Sequence, residues 1–354
     1  MADETKFKYA HIFLVFCIFV GFVIYLLISR KGHIIQTTEV VNNTCTNCSV
    51  VQPSSALTGG AGRKRAVLYG CNYNFPGSAC IQRGCVLYGC IDDVKNIKEY
   101  LLTVGYHSAD IQMYVDDGTT AMPTKSLIVS TLTDLISATE ENDVSFVWYS
   151  GHGAQLDNAL AVDGVSECWC PPDTIESGDY LTDVTLNTIV KAAKKNARVF
   201  IGSDSCHSAT VMDLPYFLSP SAFVGRDIKA RMSTMATRAV ITEAMKLRAR
   251  SIVRNVRSTM NVICDSTYTA TAGNILCLSG CQDWDTSADA YEAGEAQGAM
   301  TWAFLTAASA TVTMSDLLTS MRSILSSNSF SQVPQISSGV LFDPNTTTLA
   351  GFLS

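Results

Sequence analysis

From residue 66 onward, short apolar runs alternate with stretches whose apolar positions recur at helical intervals. Residues 66–70, 111–115, 144–149, 198–203 and 275–279 are compact runs of five or six mostly β-branched, aromatic and aliphatic residues, bounded by turn residues, which is how buried strands read. Ile91, Val94, Ile97, Leu101 and Val104 recur every three or four residues and predict an amphipathic helix that Gly105 ends. Pro123 and Thr124 mark the start of a second helix running to about residue 138. Further helices are expected near 183–195, 298–309 and 314–326, with an extended closing segment. Such alternation predicts an α/β fold with a mainly parallel central sheet and helices on both faces.

The pattern before residue 63 is different. After a short tail (1–10), residues 11–28 form an apolar run that predicts a single transmembrane helix, since eighteen helical residues span about 27 Å. The run ends in Ser29-Arg30-Lys31 with no small-residue cleavage site, so an uncleaved anchor is expected rather than a signal peptide. Lys6 and Lys8 precede it and Arg30 and Lys31 follow, a balance that leaves the side of the membrane open. Residues 29–62 have the Thr, Asn, Ser and Gly content of a flexible linker. Cys45 and Cys48 within it have metal-ligand spacing but no second pair, which leaves a disulfide or a plain polar linker.

Composition narrows the function class. A formal charge of -7 over 354 residues argues against nucleic-acid binding, which wants a basic face. Thirteen cysteines is an odd number, so at least one thiol is free unless chains are cross-linked. The domain from 63 to 354 divides into 63–217, an insert at 218–260 and a final part at 261–354. Nine of the 25 Lys and Arg lie between Arg226 and Arg257, in a solvated helical insert or an exposed basic loop.

The chemistry sits where two predicted strands end. Tyr149-Ser150-Gly151-His152 closes one and Asp204-Ser205-Cys206-His207-Ser208 closes the other, with His152 and Cys206 54 residues apart. Ligands in open α/β sheets bind outside the carboxyl ends of strands, so both side chains are delivered to one edge. A cysteine attacks a carbonyl as thiolate and needs a base, for which His152 is the candidate. The backbone N–H groups of Gly153 and Cys206 are candidates for an oxyanion. Residues two apart on a strand share a face, so Asp204 lies beside Cys206 and Ser150 beside His152. A carboxylate there disfavours thiolate, and its better use is to hold a cationic substrate side chain, ideally the guanidinium of arginine. His207, adjacent to Cys206, points to the opposite face and is not assigned as the base.

With these residues in place, the chain resembles the metacaspases, caspase-fold cysteine peptidases that cleave after Arg or Lys. The two catalytic motifs carry the resemblance. Leu87-Tyr88-Gly89-Cys90-Ile91-Asp92-Asp93-Val94, Asp213-Leu214-Pro215-Tyr216, Gly298-Ala299-Met300-Thr301 and Gln332-Val333-Pro334-Gln335 extend it. A caspase-type histidine lies about 50 residues upstream of its cysteine, as here. The resemblance implies a pocket for the substrate's basic residue lined by Cys90, Asp93, Ser150 and Asp204, a monomer, protein substrates, and self-cleavage at basic segments such as Arg63-Lys64-Arg65 or Arg226 to Arg257. It also implies a calcium site, of which Asp183 and Asp213 match. Ser166 and Thr182 stand where the family has acids, with Glu167 adjacent as a substitute. Calcium affinity rises with ligand charge, so the expectation is a degenerate site and no cofactor requirement. Two other readings stay open: a membrane-tethered inactive scaffold, and a cysteine-rich extracellular domain in which Cys206 is a disulfide partner.

Overall fold

The computed structural model describes residues 48–51, 56–57, 62–158, 165–205, 211–220, 260–280, 289–292, 295–330 and 332–354. In chain order come β1 (Cys48–Val51), β2 (Lys64–Gly70), α1 (Ala79–Arg83), α2 (Cys90–Thr103), β3 (Ile111–Val115), α3 (Lys125–Ala138) and β4 (Val144–Ser150). Then come β5 (Gly153–Asp157), β6 (Val165–Trp169), β7 (Leu181–Thr182), α4 (Asp183–Lys191), β8 (Arg198–Asp204), β9 (Tyr216–Pro220) and β10 (Met260–Asp265). The last elements are β11 (Asn274–Ser279), β12 (Asp289–Glu292), β13 (Glu295–Gly298), α5 (Ala299–Ala307), α6 (Met314–Ser327), β14 (Gln335–Ser338) and α7 (Leu349–Leu353).

Nine strands form the main sheet in the order β1-β10-β9-β14-β11-β8-β4-β2-β3. From β3 to β11 every pairing is parallel. From β11 outward through β14, β9 and β10 to β1 every pairing is antiparallel. The expected mainly parallel sheet is therefore corrected to a mixed one, parallel only in the half that carries the predicted site. The antiparallel half was hard to read because β14 is the polar-apolar run Gln-Ile-Ser-Ser, while β9 and β10 border the basic insert. Residues 48–51, read as linker from composition, pair with β10, and the closing segment ends in α7 rather than staying extended.

Helices cover both faces, as alternation predicts. Every residue of β4 and β8 is buried, the burial that a doubly covered sheet imposes on its central strands. Alternate residues feed two cores. Leu68, Phe146, Trp148 and Phe200 pack with apolar residues of α2, α5, α6 and α7. Tyr69, Val147, Tyr149 and Ile201 pack with those of α3 and α4. Burying each large apolar side chain is worth about 1.5–3 kcal/mol. A Cβ at Gly202 would come within 2.0 Å of the Trp148 ring, so glycine there lets the indole lie across β8.

Among the described residues no helix is long and apolar enough to cross a membrane; the predicted span, 11–28, lies outside them. Cys206, His207, Cys45 and most of the basic insert (221–259) also lie outside the described residues.

Candidate active site

Register places the two motifs at the same level of the sheet. Ser150 is the partner of Asp204 in the β4–β8 ladder, and Gly151 N–H donates to the Asp204 carbonyl at 3.2 Å, carrying the pairing one step further. His152 lies two residues beyond Ser150, and Cys206, outside the described residues, lies two beyond Asp204 in sequence.

The His152 loop is held by a network of aromatic hydroxyls. Tyr73 stacks on the imidazole with centroids 4.5 Å apart, and its hydroxyl oxygen accepts from His152 N–H at 2.7 Å. That hydroxyl donates to the Cys170 carbonyl at 2.8 Å, while the Tyr149 hydroxyl donates to the His152 carbonyl at 2.9 Å. Burial raises both phenols well above their ordinary range, so they remain O–H donors. The imidazole Nε2 lies 2.6 Å from the Cys85 carbonyl. A carbonyl only accepts, so Nε2 carries the proton and Nδ1 is the basic nitrogen of the neutral ring.

Cys168-Trp169-Cys170, for which the sequence offered no role, braces this loop from β6. Trp169 stacks on Tyr149 at 4.5 Å and donates Nε1–H to Ser203 Oγ at 2.8 Å. Cys170 N–H donates to the His152 carbonyl at 3.0 Å. In the antiparallel β5–β6 ladder that bond makes Gly153 and Trp169 a non-hydrogen-bonded pair, so the Gly153 amide points away from β6.

Beside the strand ends two carboxylates converge. Asp93 is fully buried in the first turn of α2, where the helix dipole favours a carboxylate. Its Oδ2 accepts from Ser150 Oγ at 2.6 Å and its Oδ1 from Gly298 N–H at 2.8 Å. Asp204 Oδ2 accepts from both the N–H and the hydroxyl of Thr301, at 2.8 and 2.7 Å. The Thr301 oxygen in turn accepts from Trp148 Nε1–H at 3.2 Å. Gly298 sits between the carboxylates: a Cβ built on it would lie 2.2 Å from Asp204 Oδ2 and 2.5 Å from Asp93 Oδ2. Asp93, Ser150 and Asp204 thus converge. Cys90 opens α2 one turn earlier, buried beside Tyr149, and Asn72 Oδ1 caps its N–H at 3.0 Å.

Tyr73, Gly298 and Thr301 escaped sequence reasoning. Gly298 and Thr301 fall in a stretch noted only as matching a family motif, with no charge or periodicity to mark a pocket. Cys80 and Cys85, also unassigned, form a disulfide directly beside His152.

The calcium expectation was tested on its donors. Asp183 is buried, its Oδ2 accepting from Glu167 N–H at 3.0 Å and its Oδ1 from Val184 N–H at 2.6 Å. Burial raises its pKa, against those hydrogen bonds. Ser166 Oγ accepts from Asn158, and Thr182 Oγ1 pairs with Thr185 Oγ1 at 3.3 Å. Among the described residues, the side chains whose ligand atoms converge within 4.8 Å are Cys80, Cys85 and His152; Asp183, Glu167 and Asp213 do not form such a group. The Ser166 and Glu167 side chains lie within hydrogen-bonding reach of the Asp183 carboxyl, so these three positions are neighbours.

Comparison with known proteins agrees with the sequence motifs. The family profile described as metacaspase, peptidase C14 domain, matches residues 64–215. The chain is 32% identical over 298 residues to Metacaspase-1A of Neurospora crassa, covering 78% of this chain and 63% of the relative. Against Metacaspase-1 of Lodderomyces elongisporus the identity is 34%, with 80% and 66% covered. Against Metacaspase-1 of Ajellomyces capsulatus it is 33%, with 78% and 80% covered. The chain thus spans a little under two thirds of the first two relatives.

Proposed function

This chain belongs to the metacaspase family, and on that premise we propose that it is a cysteine endopeptidase that cleaves proteins after Arg or Lys with a Cys206–His152 dyad. The observation that carries the specificity is the pair of carboxylates, Asp93 and Asp204, facing one another across Gly298 beside the ends of β4 and β8. A guanidinium or ammonium entering that space makes charge-assisted hydrogen bonds, while an acidic side chain is repelled. Two uncharged donors, Ser150 and Thr301, aim the carboxylates without neutralising them.

In this reading the dyad acts in two half-reactions. Nδ1 of His152 takes the Cys206 thiol proton, and the thiolate adds to the peptide carbonyl carbon. The N–H groups of Gly153 and Cys206 stabilise the oxyanion. His152 then gives its proton to the departing amine, leaving a thioester. Water, deprotonated by the same imidazole, attacks the thioester and releases the acid and the thiol. Proton transfer of this kind is worth about 10²–10⁴ in rate. The same reading carries no calcium requirement, since Ser166 and Thr182 stand where the family has acids and affinity rises with ligand charge.

The same reading holds the enzyme as a monomer, tethered to a membrane by residues 11–28. It places self-cleavage at Arg63-Lys64-Arg65 or in the basic insert. The test is paired reporter peptides ending in Arg or Asp, incubated with the full chain and with Cys206→Ala, in calcium and in chelator. Cleavage after Arg alone, lost in Cys206→Ala and retained in chelator, is expected. No cleavage by folded protein would leave the inactive scaffold as the better reading, and activity restored only by micromolar calcium would overturn the cofactor proposal.

A further inference from the structure

The loop that positions His152 carries a second chemistry. Cys80 lies in the short helix α1, and Gly84, at φ 70°, turns the chain so that Cys85 N–H returns to the Cys80 carbonyl at 3.0 Å. The two sulfurs are joined across a sequence separation of 5. Both sulfurs and an imidazole nitrogen of His152 lie within 4.8 Å of one another. The imidazole is anchored to this same loop through Nε2 and the Cys85 carbonyl.

Two cysteines with four residues between them and a histidine are a donor set suited to a borderline-soft divalent cation, and Cys-x4-Cys falls within the spacing used by zinc sites. Three protein ligands also leave a fourth tetrahedral position for water. With the disulfide closed neither sulfur can serve as thiolate. A dithiol reductant opens it: two electrons pass to the Sγ–Sγ bond, two thiols form, and the dithiol becomes its own cyclic disulfide. Metal binding then releases the two thiol protons. The sulfurs need only part to roughly 3.8 Å, the edge of a tetrahedron with Zn–S of about 2.3 Å.

We propose that Cys80, Cys85 and His152 form a redox-gated zinc-type site, closed while the disulfide stands and, once reduced, able to take a divalent cation that occupies the imidazole and stops peptide cleavage. The regulatory half rests on the peptidase reading above; the binding half does not. Reducing conditions keep a nucleophilic cysteine active and also open this pair, so the metal becomes an inhibitor under the conditions in which the enzyme is otherwise competent.

The test uses cobalt(II) as a spectroscopic probe on the full chain carrying Cys206→Ala, which removes the dyad thiol. The disulfide-closed protein is compared with the same protein reduced by a phosphine and desalted without air. One equivalent of cobalt giving a thiolate-to-metal charge-transfer band only in the reduced protein is expected. Adding Cys80→Ser and Cys85→Ser should abolish the band, and His152→Ala should weaken binding and alter the ligand-field spectrum. Because the redox comparison uses one polypeptide, it decides the matter even where a substitution perturbs folding. A band present before reduction, no band after it, or a band surviving the double serine variant would overturn the site. In the Cys206 enzyme, stoichiometric zinc should inhibit the reduced form and spare the Cys80→Ser/Cys85→Ser variant; equal inhibition of both would overturn the gating. Absence of any peptidase activity would instead count against the proposed function and leave the cobalt result standing.

Discussion

Ser150 and Asp204 are register partners on adjacent parallel strands, and the Ser150 hydroxyl reaches past that pair to donate to Asp93 at 2.6 Å. One rung of the sheet therefore ties both carboxylates to β4 and β8. Ser150, Asp204 and Asp93 cannot shift independently without breaking these contacts. Four substitutions and one labelling experiment probe how far that coupling extends.

Gly298→Ala is the least invasive way to close the pocket. The residue has φ -65°, which alanine adopts freely, so the backbone is not strained. The added methyl nevertheless meets both carboxylates within 2.5 Å. The expected outcome is a fall in kcat/KM on Arg peptides of at least about tenfold, carried mainly by KM, since a single lost charge-assisted contact is worth about 1.5–3 kcal/mol. Unchanged kcat/KM would show that substrate does not enter between Asp93 and Asp204.

Asp204→Asn keeps an oxygen to accept from Thr301 and removes the charge. Cleavage after Arg or Lys should drop about 10- to 100-fold, with thermal stability nearly unchanged. A much lower melting temperature with normal cleavage per folded molecule would assign Asp204 a structural role instead.

Tyr73→Phe preserves the ring stacked on His152 and deletes the hydroxyl that accepts from His152 N–H and donates to the Cys170 carbonyl. Tyr73 is a positioning residue in this account. Its loss should lower kcat about tenfold with little change in KM, the cost of leaving buried partners unmatched. A change in KM alone would contradict that role.

Asp143 sets an acid limit on stability. Burial pushes its pKa up, but the Arg65 guanidinium at 2.8 Å and the N–H groups of Arg63 and Glu140 outweigh it and hold the carboxyl below its ordinary value. A depressed folded pKa contributes stability that is fully present above the unfolded pKa, about 3.9, and lost as pH falls through the folded value. Asp143→Asn should therefore cost about 1–3 kcal/mol at neutral pH. The gap between variant and wild type should close on acidification, measured by denaturant melts at several pH values. A gap that is constant with pH would remove the charge from the explanation.

Thiol chemistry should separate the nucleophile from the other cysteines. Burial pushes Cys168 and Cys277 up to about 12, with Asp183 and Glu167 adding to the rise at Cys168. At pH 8 both are thiols and sheltered, whereas a cysteine paired with His152 has thiolate character. Brief alkylation of native protein followed by peptide mapping should label Cys206 well before either. Early labelling of Cys168 would contradict its buried, acid-flanked position.

Much of this was legible in the linear chain because it is encoded locally. Apolar runs and turn residues placed β2, β3, β4, β8 and β11 to within a few residues. Helical spacing found α2 and α3, including the Thr124 cap that accepts from Leu127 N–H. The alternation of faces along a strand put Ser150 and Asp204 with the two candidate catalytic positions, and the β4–β8 register makes Ser150 and Asp204 partners. The antiparallel half of the sheet was missed where strands were short and polar, or bordered an insert with its own composition.

The sequence alone thus determined which residues are candidates for a nucleophile, a base and a negative charge, since reactive side chains and strand periods are written residue by residue. Only the tertiary structure decided what surrounds them. Thr301 reaches Asp204 across 97 residues and Gly298 reaches Asp93 across 205, through backbone groups and a missing side chain that leave no local pattern. The Cys80–Cys85 bond is local, made by the turn at Gly84, but its place beside His152 is decided only by the fold.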